Sequence, residues 1–266
     1  MTETSPNLRV AAIELDIVHG NPKVNTARAV ELISLLPGSF DIVVLPELFS
    51  TGFIADRRAM VDIAQPDDGP ALTALREVSQ EYGVLICGSF DAIDRDGNIY
   101  NRGFMLNPDG PDAYYDKRHL FSVSAEARIF RHGDSPMPIV DFRGWNVSMI
   151  VCYDLRFPVW SRNVKHRYDM VLVPANWPKS RGYAWEHLLI ARAIENQAVV
   201  VGANRGGEDR FGIYDGMSNI FDGLGMPVGK WIPGSPSIEA TLSAADLITA
   251  RRNLPAHFDA DDFAIL

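Results

Sequence analysis

Short apolar runs of strand composition alternate with stretches of helical period along the first ninety residues. That alternation restricts the chain to folds in which helices cover a sheet. "LRVAAIELDIV" (8–18) reads as a strand, and "NPKVNTARAVELISLLPG" (21–38) as an amphipathic helix entered at Pro22 and closed by Pro37-Gly38. "FDIVVLPE" (40–47) is a strand, "GPALTALREVSQEYG" (69–83) a helix ended by Gly83, and "VLICGSF" (84–90) a strand again. "DRDGN" (94–98) and "NPDGP" (107–111) then place hairpin turns, so the middle is antiparallel. Beyond it, "WNVSMIVC" (145–152) and "YDMVLVPA" (168–175) read as strands flanking a short helix. The helix "AWEHLLIARAIENQ" (184–197) and the strand "AVVVGANR" (198–205) follow, then hairpins around "DGLG" (222–225) and a short helix near "AADLITARR". These are more strands than one small sheet holds. The expected architecture is a mixed α/β (α+β) fold of two mixed sheets packed face to face with helices outside.

No repeat, low-complexity tract or linker divides the sequence, so residues 1–266 are expected to form a single domain. The net charge of -9 and the absence of a basic run with interleaved aromatics argue against a nucleic-acid partner. No long apolar stretch and no basic leader point to a membrane or to export. The two cysteines, Cys87 and Cys152, suit a reducing cytoplasm better than a disulfide framework. The sequon "NVS" (146–148) then carries no meaning.

Three apolar runs end in residues with chemistry: "VVLPE" at Glu47, "SMIVC" at Cys152 and "VLVPANW" at Asn176 and Trp177. Ligands in open sheets bind beyond the carboxyl ends of strands, so the three ends converge on one pocket if their strands are parallel neighbours. "RFPVWSRNVKH" is expected to start a helix with Pro158 in its first turn, placing the Cys152 thiol near a helix N-terminus that favours the thiolate. The six histidines offer no local signature that selects a base for it. Lys117, at the end of an aromatic-rich strand, is a second candidate partner in search of a carboxylate, and Glu126 in "VSAEARIF" supplies a carboxylate in the same loop. "GLGMPVGK" (223–230) has the wrong glycine spacing for a phosphate loop and reads as a hairpin turn. No HExxH or CxxC pair offers zinc ligands, and Cys87 reads as a core residue.

"LPELFSTGF" (45–53), "YDKRHLFS" (115–122) and "IVCYDLRFP" (150–158) resemble the three signature segments of the nitrilase, or carbon-nitrogen hydrolase, superfamily, in the family's order. The likeness runs from the first strand to "GIYDGMSNIFDGLG" (212–225), and "PANWPKSRGYAWEHLLIARAIENQ" (174–197) resembles the omega-amidase branch. The resemblance implies a four-layer α-β-β-α sandwich and a commonly dimeric enzyme that needs no metal or organic cofactor. It implies Cys152 as nucleophile, Glu47 as proton carrier, and Lys117 with the backbone N–H of Tyr153 as oxyanion donors. Glu126 resembles the family's second glutamate, which positions substrate. The omega-amidase likeness implies a dicarboxylate monoamide such as 2-oxoglutaramate, whose free carboxylate needs a cation. Arg156, Arg181 and Arg205 are the candidates. Other branches remain open: a nitrilase, a carbamoyl hydrolase or a deaminated glutathione amidase. A catalytically silent binding protein is a further alternative, against which the intact Glu47, Lys117 and Cys152 argue.

Overall fold

The computed structural model describes residues 2, 5–36 and 38–265. The elements run in the order β1 (Leu8–Ile13), α1 (Pro22–Ser34), β2 (Ile42–Val44), α2 (Arg57–Ile63), α3 (Pro70–Tyr82), β3 (Leu85–Ile93), β4 (Ile99–Leu106) and β5 (Ala113–Asp116). There follow α4 (Glu126–Ile129), β6 (Ile139–Phe142), β7 (Trp145–Met149), β8 (Met170–Ala175), α5 (Gly182–Asn196), β9 (Val199–Asn204), β10 (Gly206–Asp209) and β11 (Gly212–Asp215). The chain closes with β12 (Asn219–Phe221), β13 (Lys230–Trp231), β14 (Ser237–Leu242) and α6 (Ala244–Asn253). Pro22 sits in the first turn of α1 behind an Asn21 cap, and α3 stops at the left-handed Gly83. Pro37 lies outside the described residues.

One seven-stranded sheet has the order β13-β14-β1-β2-β3-β4-β5, a second of five strands the order β12-β9-β8-β7-β6, and β10-β11 forms a separate ribbon. Both large sheets are mixed: β1, β2 and β3 run parallel, as do β7, β8 and β9, while the outer pairs are antiparallel.

The period-2 alternation of the strands decides which layer each side chain enters. Val10 and Ala12 of β1, Ile42 and Val44 of β2 and Leu85 and Cys87 of β3 join the core shared with the five-stranded sheet. Their neighbours Ala11, Ile13, Val43 and Ile86 face the other way, onto Ala29 and Ile33 of α1 and Leu72, Leu75 and Val78 of α3. On the far side Trp185, Leu189 and Ala193 of α5 and Leu247 of α6 pack on the five-stranded sheet. The result is the four-layer α-β-β-α sandwich. The sheets approach so closely at β4 that a Cβ on Gly103 would collide with Met149 Cε. No helix among the described residues is long and apolar enough to cross a membrane.

Two expectations need correction. Cys152 does not precede an α-helix: Cys152–Arg156 is a single 3₁₀ turn. A residue before proline is disfavoured in the helical region, and Phe157, ahead of Pro158, sits at φ -114°, ψ 87°, which ends the turn. The strand ends carrying Glu47 and Cys152 are also not neighbours in one sheet. Glu47 follows β2 and Cys152 follows β7, so the two converge across the face-to-face packing.

Candidate active site

Both strand ends leave their sheets through a left-handed residue. Leu48, after Glu47, has φ 47°, and Cys152 itself has φ 45°. Left-handed backbone is costly for residues with a Cβ, and its presence at both points marks geometry held by the surroundings. It turns the Cys152 side chain into a cavity of about 250 Å³. Glu47, Lys117 and Glu126 line one end of that cavity, with Tyr153, Arg156, Asn176, Trp177 and Arg181 around it.

Lys117, 2% exposed, is the centre of the charged end. Its Nζ lies 2.8 Å from Glu47 Oε1 and 2.7 Å from Glu126 Oε1. Burial opposes the ammonium, but Glu126 and Glu47 outweigh it and hold the lysine well above its ordinary value. The two carboxylates thus favour the cationic form of Lys117. Glu126 opens the short α4, and its second oxygen accepts the Phe121 N–H at 2.6 Å. The other oxygen of Glu47, Oε2, accepts the Asn176 N–H at 2.8 Å.

The Cys152 thiol is pushed well above its ordinary value by burial and by the adjacent Glu47 charge, against the pull of Lys117. With no α-helix behind it, the thiol has no helix dipole to favour its anion. Its proton has an acceptor beside it in Glu47, so the arrangement suits proton transfer concerted with nucleophilic attack. The histidines have no part in this end of the cavity: none is among its lining residues. Among the described residues no group of three or more His, Cys, Asp or Glu could hold a metal ion.

Asn101 escaped the sequence reading. It is fully buried on β4, and its Nδ2 donates to Glu47 Oε1 at 2.7 Å and to Glu126 Oε1 at 3.3 Å, while its Oδ1 accepts from Ser89 Oγ at 2.8 Å. Ser89 Oγ in turn accepts the N–H of Leu48, the left-handed residue. The available signal was a polar amide inside a strand, where asparagine is depleted. Phe53, Phe121, Phe211 and Tyr214 on the cavity wall were also missed, the last two carried by the β10-β11 ribbon.

Arg156 and Arg181 both reach the cavity, Arg156 over the Trp177 ring at 4.7 Å and Arg181 over Phe121 at 5.0 Å. Trp177 is fixed by donating its N–H to Asn204 and its indole N–H to the Arg181 carbonyl. Asn176 presents a buried side-chain amide with neither polar atom bonded. Arg205 is a correction. It is fully buried, paired with Asp209 at 2.7 Å, bonded to the carbonyls of Ile17 and Gly206, and not part of the cavity lining. A place at the carboxyl end of β9, parallel to β8, indicates the right region but not the direction of the side chain.

Asp91 lies outside the cavity with one carboxylate oxygen unbonded and the other accepting from Thr51. Burial, aided by the Glu47 charge, raises it from 3.8 to about 7. Between these values the folded state keeps a proton that the unfolded state has lost, so stability falls as pH rises through this window. The full cost above pH 7 is on the order of 4 kcal/mol. Asp91→Asn is expected to gain roughly 2 kcal/mol relative to wild type between pH 5 and pH 8 in urea unfolding. An equal difference at both pH values would refute it.

A sequence profile of the carbon-nitrogen hydrolase family matches residues 9–252. The chain is 38% identical over 266 residues to the omega-amidase YafV of Escherichia coli K12, covering 98% of this chain and 99% of that one. It is 29% identical to the 2-oxoglutaramate amidase of Bacillus subtilis, over 94% of this chain and 96% of that one. Among solved structures, XC1258 from Xanthomonas campestris, described as a CN-hydrolase superfamily protein with an arsenic adduct in the active site, superposes with a TM-score of 0.90. It shares 35% identity, with 98% of this chain and 100% of that one covered. The chain belongs to the carbon-nitrogen hydrolase family and is an amide-hydrolysing enzyme.

Proposed function

We propose that the enzyme is an omega-amidase that hydrolyses a short dicarboxylate monoamide such as 2-oxoglutaramate, with Cys152 as nucleophile. Cys152 Sγ attacks the amide carbon as its proton passes to Glu47. The oxyanion forms against the Lys117 ammonium and the Tyr153 N–H. Collapse of the tetrahedral intermediate breaks the C–N bond while Glu47 returns the proton to nitrogen, and ammonia leaves. Water, deprotonated by Glu47, then attacks the thioester, releasing the carboxylate and restoring the thiol. Glu126 and Asn101 keep Lys117 and Glu47 in register for both halves.

The observation that carries the substrate reading is the pair Arg156 and Arg181. Both line the cavity, both are held by aromatic faces, and among the described residues neither is paired with a carboxylate. A guanidinium left without an anion beside a small aromatic pocket suits a substrate that brings its own. The similarity to YafV and to the 2-oxoglutaramate amidase supports the same class. The cavity, about 250 Å³, favours a five-carbon acid over a deaminated tripeptide.

Wild type should prefer 2-oxoglutaramate to an uncharged amide of equal length by about 100-fold in kcat/KM. Arg156→Ala and Arg181→Ala should each lower kcat/KM for the charged substrate by about 10- to 100-fold and leave the neutral amide within about threefold. A wild type that prefers the neutral amide would sink the omega-amidase reading and leave the amidase standing.

A cytoplasmic homodimer completes the proposal. Two reduced, buried cysteines suit a reducing compartment. Exposed Tyr183, Ile194, Leu224 and Met226 offer apolar area for a second copy. Light scattering at twice the 29.5 kDa chain mass is the expected result.

A further inference from the structure

Asp154, two residues beyond Cys152, is fully buried and has no place in the chemistry just described. Its carboxylate nevertheless receives four donors. Oδ2 accepts the N–H of Val151 at 3.1 Å and the hydroxyl of Tyr115 at 2.9 Å. Oδ1 accepts the N–H of His119 at 2.9 Å and faces His119 Nδ1 at 2.8 Å, which fixes the tautomer with hydrogen on Nδ1. Val151 immediately precedes the nucleophile. Tyr115 and His119 lie two residues to either side of Lys117.

The surroundings stiffen this joint. The His119 ring stacks on Phe157 at 3.8 Å and 10°, at the end of the turn that Cys152 begins. The Tyr115 hydroxyl, while donating to Asp154, accepts from Trp160 Nε1 at 2.8 Å. β5 and β7 belong to different sheets, and the segments that leave them meet at this one carboxylate.

We propose that Asp154 is a positioning residue that sets the distance between Cys152 and Lys117 by tying the segment before the nucleophile to both flanks of the lysine. A carboxylate is required for the task. Each of its oxygens faces a main-chain N–H, one from Val151 and one from His119. An amide in either orientation would turn its NH₂ against one of them, so asparagine can keep one flank of the joint and must release the other. Loss of the joint leaves Arg181 and Trp177, which other contacts hold, in place. It therefore lowers kcat rather than raising KM, since misplacement of reacting groups by about 1 Å is enough to cost about 100-fold. The inference rests on Cys152 and Lys117 having the roles proposed above.

The test measures kcat and KM for ammonia release in Asp154→Asn and His119→Ala, each also combined with Lys117→Met. Rates are normalised to folded enzyme by circular dichroism. Asp154→Asn should lose about 100-fold in kcat and His119→Ala about 10-fold, with KM within about threefold of wild type. In the Lys117→Met background both losses should shrink to less than about threefold, because there is no ammonium left to position. A merely structural residue would show the same loss in both backgrounds. Should Asp154→Asn fail to fold, the partly exposed His119 decides alone. Wild-type kcat in either folded variant, or losses that multiply with that of Lys117→Met, would overturn the proposal. An active Cys152→Ala enzyme would instead overturn the mechanism on which it rests.

Discussion

Cys152→Ala is expected to lose ammonia release by about 10,000-fold or more while staying folded. Removal of a nucleophile abolishes the covalent route and leaves only binding and electrostatic stabilisation, as in other enzymes whose nucleophile has been deleted. The fold should tolerate the change. The thiol is a small side chain beside the cavity, so truncation costs about 1 kcal/mol or less of packing, and it removes a group that burial already disfavours as an anion. Cys87 is the internal control. It is fully buried in the core between the sheets, where burial alone drives its thiol up, and Cys87→Ala should keep most of the activity. Comparable rates in wild type and Cys152→Ala, with both folded by circular dichroism, would end the nucleophile assignment.

Glu47→Gln and Lys117→Met should each lower kcat by at least about 100-fold, for different reasons. Glutamine keeps the shape of Glu47 and can still accept from Asn101, though its NH₂ then faces the Asn176 N–H, and it cannot take the thiol proton. Methionine removes the positive charge at the oxyanion. Lys117→Met carries a second cost, because Glu47 and Glu126 would be left as buried carboxylates with no cation between them. Loss of one partner from such a buried set typically costs about 3–5 kcal/mol of stability. Glu47→Gln removes one of those negative charges and leaves the Lys117–Glu126 pair, so it should be the milder of the two for folding. The two catalytic losses should not multiply, since both act on one transition state. A double variant whose loss equals the product of the single losses, measured on folded protein, would count against a shared site.

How much of this was visible in the sequence follows from the range of the forces involved. Strands, helices and hairpins were legible because period and turn residues are local: Gly83 ends α3 where a left-handed residue is needed, and "DRDGN" turns β3 into β4. The two-sheet packing was legible because runs such as β8, buried on every residue, need cover on both faces. Glu47, Lys117 and Cys152 stood out because each interrupts a run of another character, and the resemblance to the family's three segments then joined them. The turn after Cys152 is not the start of an α-helix because Pro158 restricts the residue before it, and that restriction on Phe157 is as much present in the sequence as the proline's preference for a first helical turn. Arg205 and Asn101 were beyond local reading. Arg205 has its ion-pair partner Asp209 only four residues on, but the Ile17 carbonyl that its guanidinium also meets is 188 residues away, and Asn101 meets Glu47 across 54 residues of chain. Long-range partners of buried polar groups are set by tertiary packing, which no window of sequence contains.

The proposed chemistry passes through a covalent bond between the substrate's acyl group and Cys152. The direct measurement is rapid acid quench of wild-type enzyme with excess 2-oxoglutaramate at successive times, followed by intact mass and peptide mapping. The expected result is an acyl adduct on the peptide containing Cys152, formed in step with the first equivalent of ammonia and removed by hydroxylamine, with Cys87 unmodified. Ammonia release accompanied by an adduct on any other residue, or an adduct that persists in Cys152→Ala, would contradict it.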